Sequence, residues 1–170
     1  SKLVLRVKST SKILYIIYVV LTILEIILLY AGGMPMFDSI IHGISTAGTG
    51  GFSNKNASIA AYNSRYFEYV ITIFMLLFSV NFNLFYLMVV RDFKNVWKNE
   101  ELRTFIFIVV AATALITLNI YNYYPTLESA FRHAIFQVAA IMSTTGFVTA
   151  NFDLWPEFSK TILFCLLFLG

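Results

Sequence analysis

The sequence predicts an all-α integral membrane protein made by repeating one unit: a span, a short helix, a Thr/Gly-rich turn and a second span. Three observations carry that prediction. The first is composition: of 170 residues, 59% are hydrophobic and 12% charged, against roughly 45–50% apolar and about 25% charged in soluble domains. This excludes both a soluble globular protein and a disordered one. The second is the length of the apolar runs, and the third is a pair of Thr/Gly turns, Thr49-Gly50 and Thr145-Gly146, set 96 residues apart. The net charge of +3 comes with no basic stripe interleaved with aromatics, so no nucleic-acid partner is expected. Cys165 is a lone cysteine and cannot close an internal disulfide, and the two histidines lie too far from it in sequence to form a metal-ligand pattern.

A helix rises 1.5 Å per residue, so a crossing of about 30 Å of hydrocarbon needs about 20 mostly apolar residues. Residues 13–31 (ILYIIYVVLTILEIILLYA) meet that length after a basic lead, 1–12, and follow no signal-peptide pattern. Residues 66–90 also meet it, interrupted by Glu68, Ser79, Asn81 and Asn83; a loop, 92–103, follows. The run 104–121 (TFIFIVVAATALITLNIY) is slightly short but uncharged. The run 158–170 begins as a span and stops after about a dozen residues, and the chain opens on Ser1, so a piece of a longer polypeptide is expected. Lys2, Arg6, Lys8 and Lys12 precede the first span, and Arg91, Lys94, Lys98 and Arg103 separate the second from the third. Basic residues are retained on the cytoplasmic side. The longer segments 32–65 and 122–157 carry only Lys55, Arg65 and Arg132 and are placed outside. Tyr30, Tyr66, Tyr121, Tyr123, Tyr124 and Trp155 fall near span ends, as interfacial aromatics do.

Function is written in the two outside segments. Each holds a helix too short to cross the bilayer, 37–46 (FDSIIHGIST) and 127–142 (LESAFRHAIFQVAAIM), followed by small and hydroxyl residues at 47–53 and 143–149. Non-helical backbone at membrane depth is tolerated only where it is buried in protein or lines a water-filled cavity. A Thr/Gly turn there offers carbonyl oxygens, which can replace the hydration shell of a potassium ion, and the preceding helix aims its partial negative charge at the same place. Neither turn contains a carboxylate. The plain alternative is that both are ordinary external turns; two such turns at equivalent places between spans favour the filter.

The strings ISTAGTGGFSN (44–54), RHAIFQVAAIM (132–142) and STTGFVTANFDLWP (143–156) closely resemble the second and third pore repeats of the TrkH family, membrane subunits of bacterial Trk potassium uptake systems in the Trk/Ktr/HKT superfamily. The stretches 2–22 and 67–82 resemble it too. The resemblance implies repeated M1–pore helix–M2 units with re-entrant selectivity-filter loops, four to a pore, of which two are present here and the last is truncated. It assigns Gly48, Thr49, Gly50 and Gly51 to one filter strand and Thr144, Thr145, Gly146 and Phe147 to another. Gly50 and Gly146 match the glycine of potassium-selective members. It further implies potassium as the transported ion with no cofactor, a homodimer in contact with membrane lipid, the remaining pore repeats of a parent chain, and a cytosolic TrkA-type nucleotide-binding regulator. The setting implied is the bacterial inner membrane, multi-pass, with filter loops facing the exterior. A chain with two strands cannot close a ring, so no selective conduction by it alone is expected.

Other residues have duller readings beside functional ones. Glu25, deep in the first span, costs about 2.5–3.5 kcal/mol to insert and is expected to face protein or water and to have a partner. Asn81 and Asn83 are expected to bond neighbouring helices or backbone rather than line a pore. Arg132, His133 and His42 tune an outer mouth or are simply solvated. Asp38, Glu128, Asp153 and Glu157 raise local cation concentration near the entrance, or, for the first two, serve helix N-termini. Asn56-Ala57-Ser58 matches a glycosylation pattern that carries no meaning in a bacterial protein. An enzyme is not expected: Ser45, His42, Ser143 and His133 sit in no G-x-S-x-G setting, and no H-E-x-x-H or paired aspartates occur in spans. An intramembrane hydrolase domain and a non-conducting scaffold stand as the alternatives to a pore.

Overall fold

The computed structural model describes residues 2–48, 50, 51, 53 and 58–168, with side chains from residue 8 onward. The basic side chains Lys2 and Arg6, the site residue Thr49, and Phe52, Lys55 and the Asn56-Ala57 part of the glycosylation pattern therefore lie outside the described residues.

Eight α-helices account for the described chain, and no strand occurs among the described residues. Helix α1, Lys2–Ala31, is long and apolar enough over Lys8–Ala31 to be a candidate membrane span. Those 24 residues rise about 36 Å, enough to cross a bilayer. Its outward face exposes Tyr15, Ile16, Val20, Ile23 and Ile27, a surface suited to hydrocarbon or further protein. Gly33, at φ +103°, turns the chain, and Pro35 leads into α2, Met36–Ala47; proline before the first helical turn costs no backbone bond. After a 3-10 turn, Ser58–Tyr62, the Ser64 hydroxyl caps α3, Arg65–Ser79, by accepting from the Phe67 amide.

The continuous span expected over 66–90 is instead two helices, α3 and α4, Phe82–Val89, which meet at 90°. The break has a local cause. Val80 and Asn81 leave helical dihedrals (ψ 144° and 119°), and the Asn81 side chain caps the Asn83 amide at 3.0 Å, starting a new helix. Asn81 thus bonds local backbone, one of the two roles expected of it. A cavity of about 420 Å³ opens beside this bend, lined by Ser79, Asn81, Leu84, Thr104, Phe105 and Met142. Helix α5, Phe93–Lys98, fills the segment expected as a loop. Asn99 then caps the second long apolar helix, α6, Glu100–Ile120, through the Leu102 amide at 2.9 Å. Helix α7, Leu127–Met142, is capped by Thr126, and α8, Glu157–Leu167, follows a short 3-10 turn at Phe152–Leu154.

Helix α7 is the pivot, because it is buried on two faces. Phe136, Ala139 and Ala140 join a core with Leu29, Met34, Ile71, Phe74 and Met75 from α1 to α3. Ala130, Ala134, Val138 and Met142, spaced four apart along one stripe, join a second core with Val109, Ala112, Ile116 and Leu163 from α6 and α8. Small alanines on both faces let three helices approach one short helix closely. The half-buried helix expected from the sequence is therefore central, and it locks the first half of the chain to the second.

Candidate functional site

The two Thr/Gly turns leave the C-terminal ends of α2 and α7. At the end of α2, Gly48 N donates to Ile44 O (2.9 Å) and Gly50 N to Ser45 O (2.7 Å). At the end of α7, Ser143 N donates to Ala139 O (2.9 Å), Thr144 N to Ile141 O (3.0 Å) and Gly146 N to Ala140 O (3.3 Å). Thr144 and Gly146 take left-handed dihedrals, φ +58° and +80°. Such dihedrals strain Thr144, and its hydroxyl bonds the Ser143 carbonyl at 2.6 Å. Ser143 and Thr145 are buried with their hydroxyls 2.6 Å apart.

The turns meet. Gly51 sits at φ +68°, and a Cβ there would collide with the Thr145 carbonyl oxygen. Only glycine satisfies both the dihedral and the close approach. Gly48, Gly50, Thr144 and Gly146 are exposed. Phe147 behaves differently: its side chain is 1% exposed and its ring lies 5.7 Å from that of His42. It anchors the second turn into the first half of the chain.

Each turn is held from behind by a histidine. His42 Nδ1 contacts Asp38 O at 2.7 Å, and its Nε2 contacts Ser53 Oγ at 2.7 Å, just past the first turn. His133 Nδ1 contacts Thr149 Oγ1 at 2.9 Å, just past the second. Ser53 and Thr149 are 96 residues apart and so correspond in the repeat, whereas the histidines do not. The second turn is further laced to the first half by Ala60 N donating to Val148 O (3.0 Å) and Val148 N to Ser58 Oγ (3.3 Å).

Arg132 and His133, read as solvated or lining the mouth, are instead enclosed. Arg132 is 9% exposed. Its Nε pairs with Glu68 of α3 at 2.6 Å and its Nη1 with both Glu128 oxygens at 2.7 Å. Tyr69 donates to Glu128 at 2.8 Å. This cluster clamps α3 to α7, across the two halves. Burial, reinforced by the Arg132 charge, holds the His133 imidazole down to about 4, so it is neutral at pH 7. Burial opposes ionisation of Glu128, but its bonds from Arg132 and Tyr69 outweigh this and hold the carboxyl below its ordinary value. Asp38 accepts from the Tyr62 hydroxyl at 2.9 Å, while burial and then that carboxylate push the Tyr62 phenol above its usual range. Neither Asp38 nor Glu128 caps its helix; Pro35 and Thr126 hold the cap positions, and the acids sit in the first turns. Among the described residues no group of His, Cys, Asp and Glu is arranged to hold a metal ion.

The family model for TrkH, described as a cation transport protein, matches residues 1–170. The chain is 36% identical over 168 residues to the Trk system potassium uptake protein TrkH of Salmonella typhimurium, covering 97% of this chain and 35% of that protein. It is 34% identical over 168 residues to TrkG of Escherichia coli K12, covering 98% of this chain and 34% of that protein. The crystal structure of the potassium transporter TrkH from Vibrio parahaemolyticus superposes with a TM-score of 0.86 at 34% identity, over 95% of this chain and 36% of that one. The chain thus spans about a third of the length of these relatives. A whole-chain family match joined to this all-helical membrane architecture places the chain in the TrkH cation transport protein family.

Proposed function

We infer that Gly48–Gly51 and Thr144–Phe147 are two strands of a potassium selectivity filter in the ion-conducting subunit of an uptake system. The observation that carries this reading is the junction of the two turns, where the Gly51 backbone abuts the Thr145 carbonyl at the C-terminal ends of two short helices. Helix C-termini concentrate partial negative charge, and carbonyl oxygens substitute for water around a dehydrated cation. Neither turn carries a carboxylate, so the attraction is dipolar, as potassium selectivity requires and divalent selectivity does not. Gly50 and Gly146 are both exposed, as residues that meet an ion must be, and the relatives named above are potassium uptake proteins.

Closing the ring takes the remaining repeats of a parent chain, and a homodimer with a cytosolic TrkA-type regulator completes the assembly. The basic clusters favour a cytoplasmic position for 1–12 and 92–103 and an outer-face position for the turns in a bacterial inner membrane. The test is growth and ion uptake by an uptake-deficient bacterium carrying the full-length parent with Gly50→Ser or Gly146→Ser. Reduced preference for potassium over sodium is expected in each. Unaltered uptake and preference in both would refute the assignment.

A further inference from the structure

A groove of about 740 Å³ runs between α6 and α7, lined by Val109, Ala114 and Leu118 of the one and by Glu128, Phe131 and Ile135 of the other. It occupies only the second half of α6. The rise from Val109 to Leu118 is about 14 Å, close to half of the ~30 Å of hydrocarbon in a bilayer. The first half of α6 borders the separate cavity at the α3–α4 bend instead. On the orientation favoured by the basic clusters, the groove therefore lies in the outer leaflet. Its charged residue is Glu128, in the first turn of α7 and so at the outer end. Thr113 and Thr117 also border it, but both are buried, and the Thr117 hydroxyl donates to Thr113 O at 2.6 Å.

Phe131 and Ile135 each lie two residues from His133, about 200° around the helix. The groove is thus on the opposite side of α7 from the His133–Thr149 contact that backs the second turn. Glu128, which lines the groove, also accepts from Tyr69 of α3. The groove therefore sits at the boundary between the repeats, where the second span of the first packs on the short helix of the second. Helix α8 is the counterpart of α3, and α2 the counterpart of α7. A following repeat adds its short helix at α8, and a preceding repeat adds its second span at α2. Neither place is this groove, so the remaining repeats of a ring leave it open to the membrane.

We propose that this groove holds a phospholipid of the outer leaflet, with its acyl chains against Phe131 and Ile135 and an amine-bearing headgroup at Glu128. It rests on the filter reading above, which sets where the remaining repeats sit. Depth and charge select this occupant. A spanning helix of a second copy needs a trough through both leaflets, whereas this one stops near the midplane. An apolar length with one charged end matches an amphiphile, and the Glu128 side chain, still 38% exposed, offers a carboxylate to an ammonium group. The chains cover the third face of α7, the one its two cores leave open, where Leu127 and Phe131 are exposed. The lipid thereby supports the short helix from which the second turn departs.

The experiment reconstitutes the full-length parent in vesicles of equal parts phosphatidylethanolamine and phosphatidylglycerol, with a photoactivatable diazirine placed on the acyl chain of one lipid and then of the other. Mass spectrometry maps the labelled peptides. Phosphatidylethanolamine is expected to label 109–118 and 127–135 several-fold more than phosphatidylglycerol does. After extraction into detergent, native mass spectra are expected to show phosphatidylethanolamine retained on the parent. Ala114→Trp, which fills the groove from an exposed position, is expected to lower that retention about fivefold with the mass of the assembly unchanged. The labelling arm needs no variant and stands whether or not Ala114→Trp assembles. No label in the groove, equal labelling by the two lipids, or unchanged retention in Ala114→Trp overturns the proposal. So does loss of the dimer mass in Ala114→Trp, which would make the groove a contact between copies. Gly50→Ser and Gly146→Ser run alongside in uptake assays: an unlabelled groove with altered potassium preference sinks only this inference, and a labelled groove with preference unaltered in both sinks the filter reading.

Discussion

Two glycines with the same dihedral problem but different neighbours isolate what the junction of the turns contributes. Gly51 and Gly146 sit at φ +68° and +80°. Alanine at either position must hold a left-handed conformation, at a cost of about 1–2 kcal/mol. A Cβ on Gly146 meets nothing within 4 Å, so that cost stands alone there. A Cβ on Gly51 collides with the Thr145 carbonyl. That is backbone, unable to rotate aside, and Gly146 N is already bonded to Ala140 O behind it. Forcing the turns apart adds about 1–3 kcal/mol of overpacking strain, for a total of about 2–5 kcal/mol at Gly51. Thermal unfolding of the purified full-length parent in detergent should show Gly51→Ala well below Gly146→Ala, which in turn lies slightly below the parent. Potassium uptake should follow the same order. Equal losses at the two positions would mean that the turns do not abut, and the geometric basis of the shared site would be gone.

The ion cluster between α3 and α7 gives a second expectation. Arg132→Gln leaves Glu68 buried without its cation, at a cost of about 3–5 kcal/mol, whereas the Glu68→Gln/Arg132→Gln pair removes both charges and recovers much of it; a double-mutant cycle on thermal stability decides, and strict additivity would dissolve the cluster. A third concerns pH. His133 titrates at about 4 in the folded protein against about 6.5 unfolded, so its contribution is whole above pH 6.5 and is lost as pH falls from there through about 4, where the unfolded chain binds the extra proton. His133→Phe should flatten the stability profile across that window and leave the profile above pH 7 parallel to that of the parent; an unchanged acid limb would show that His133 is not what yields.

The apolar runs, the basic clusters and the paired Thr/Gly turns were legible from sequence because each is local. Hydrophobic length, charge sign and glycine at a turn act on the residues that carry them. The all-helical membrane architecture and the TrkH resemblance followed from these. The side-chain environment did not. Arg132 and His133 look like two ordinary polar residues on a short helix, yet their partners include Glu68, 64 residues before Arg132. No periodicity encodes that separation; a charged pair in the helix 127–142 on the core-facing side was the available hint. The bend at Val80–Asn81 was similarly hidden, since the run 66–90 read as one crossing in spite of its polar interruptions, while an asparagine side chain replaced the helical bond.

Composition and pattern by themselves determined that this chain has helices long and apolar enough for lipid, where its Thr/Gly turns fall and which residues those turns contain. Tertiary structure alone decided that Gly51 touches Thr145 and that Phe147 is an anchor. The physical reason is range: burial and turn preference are properties of a few consecutive residues, whereas the contact between two turns exists only once α7 has brought both halves of the chain onto its two faces.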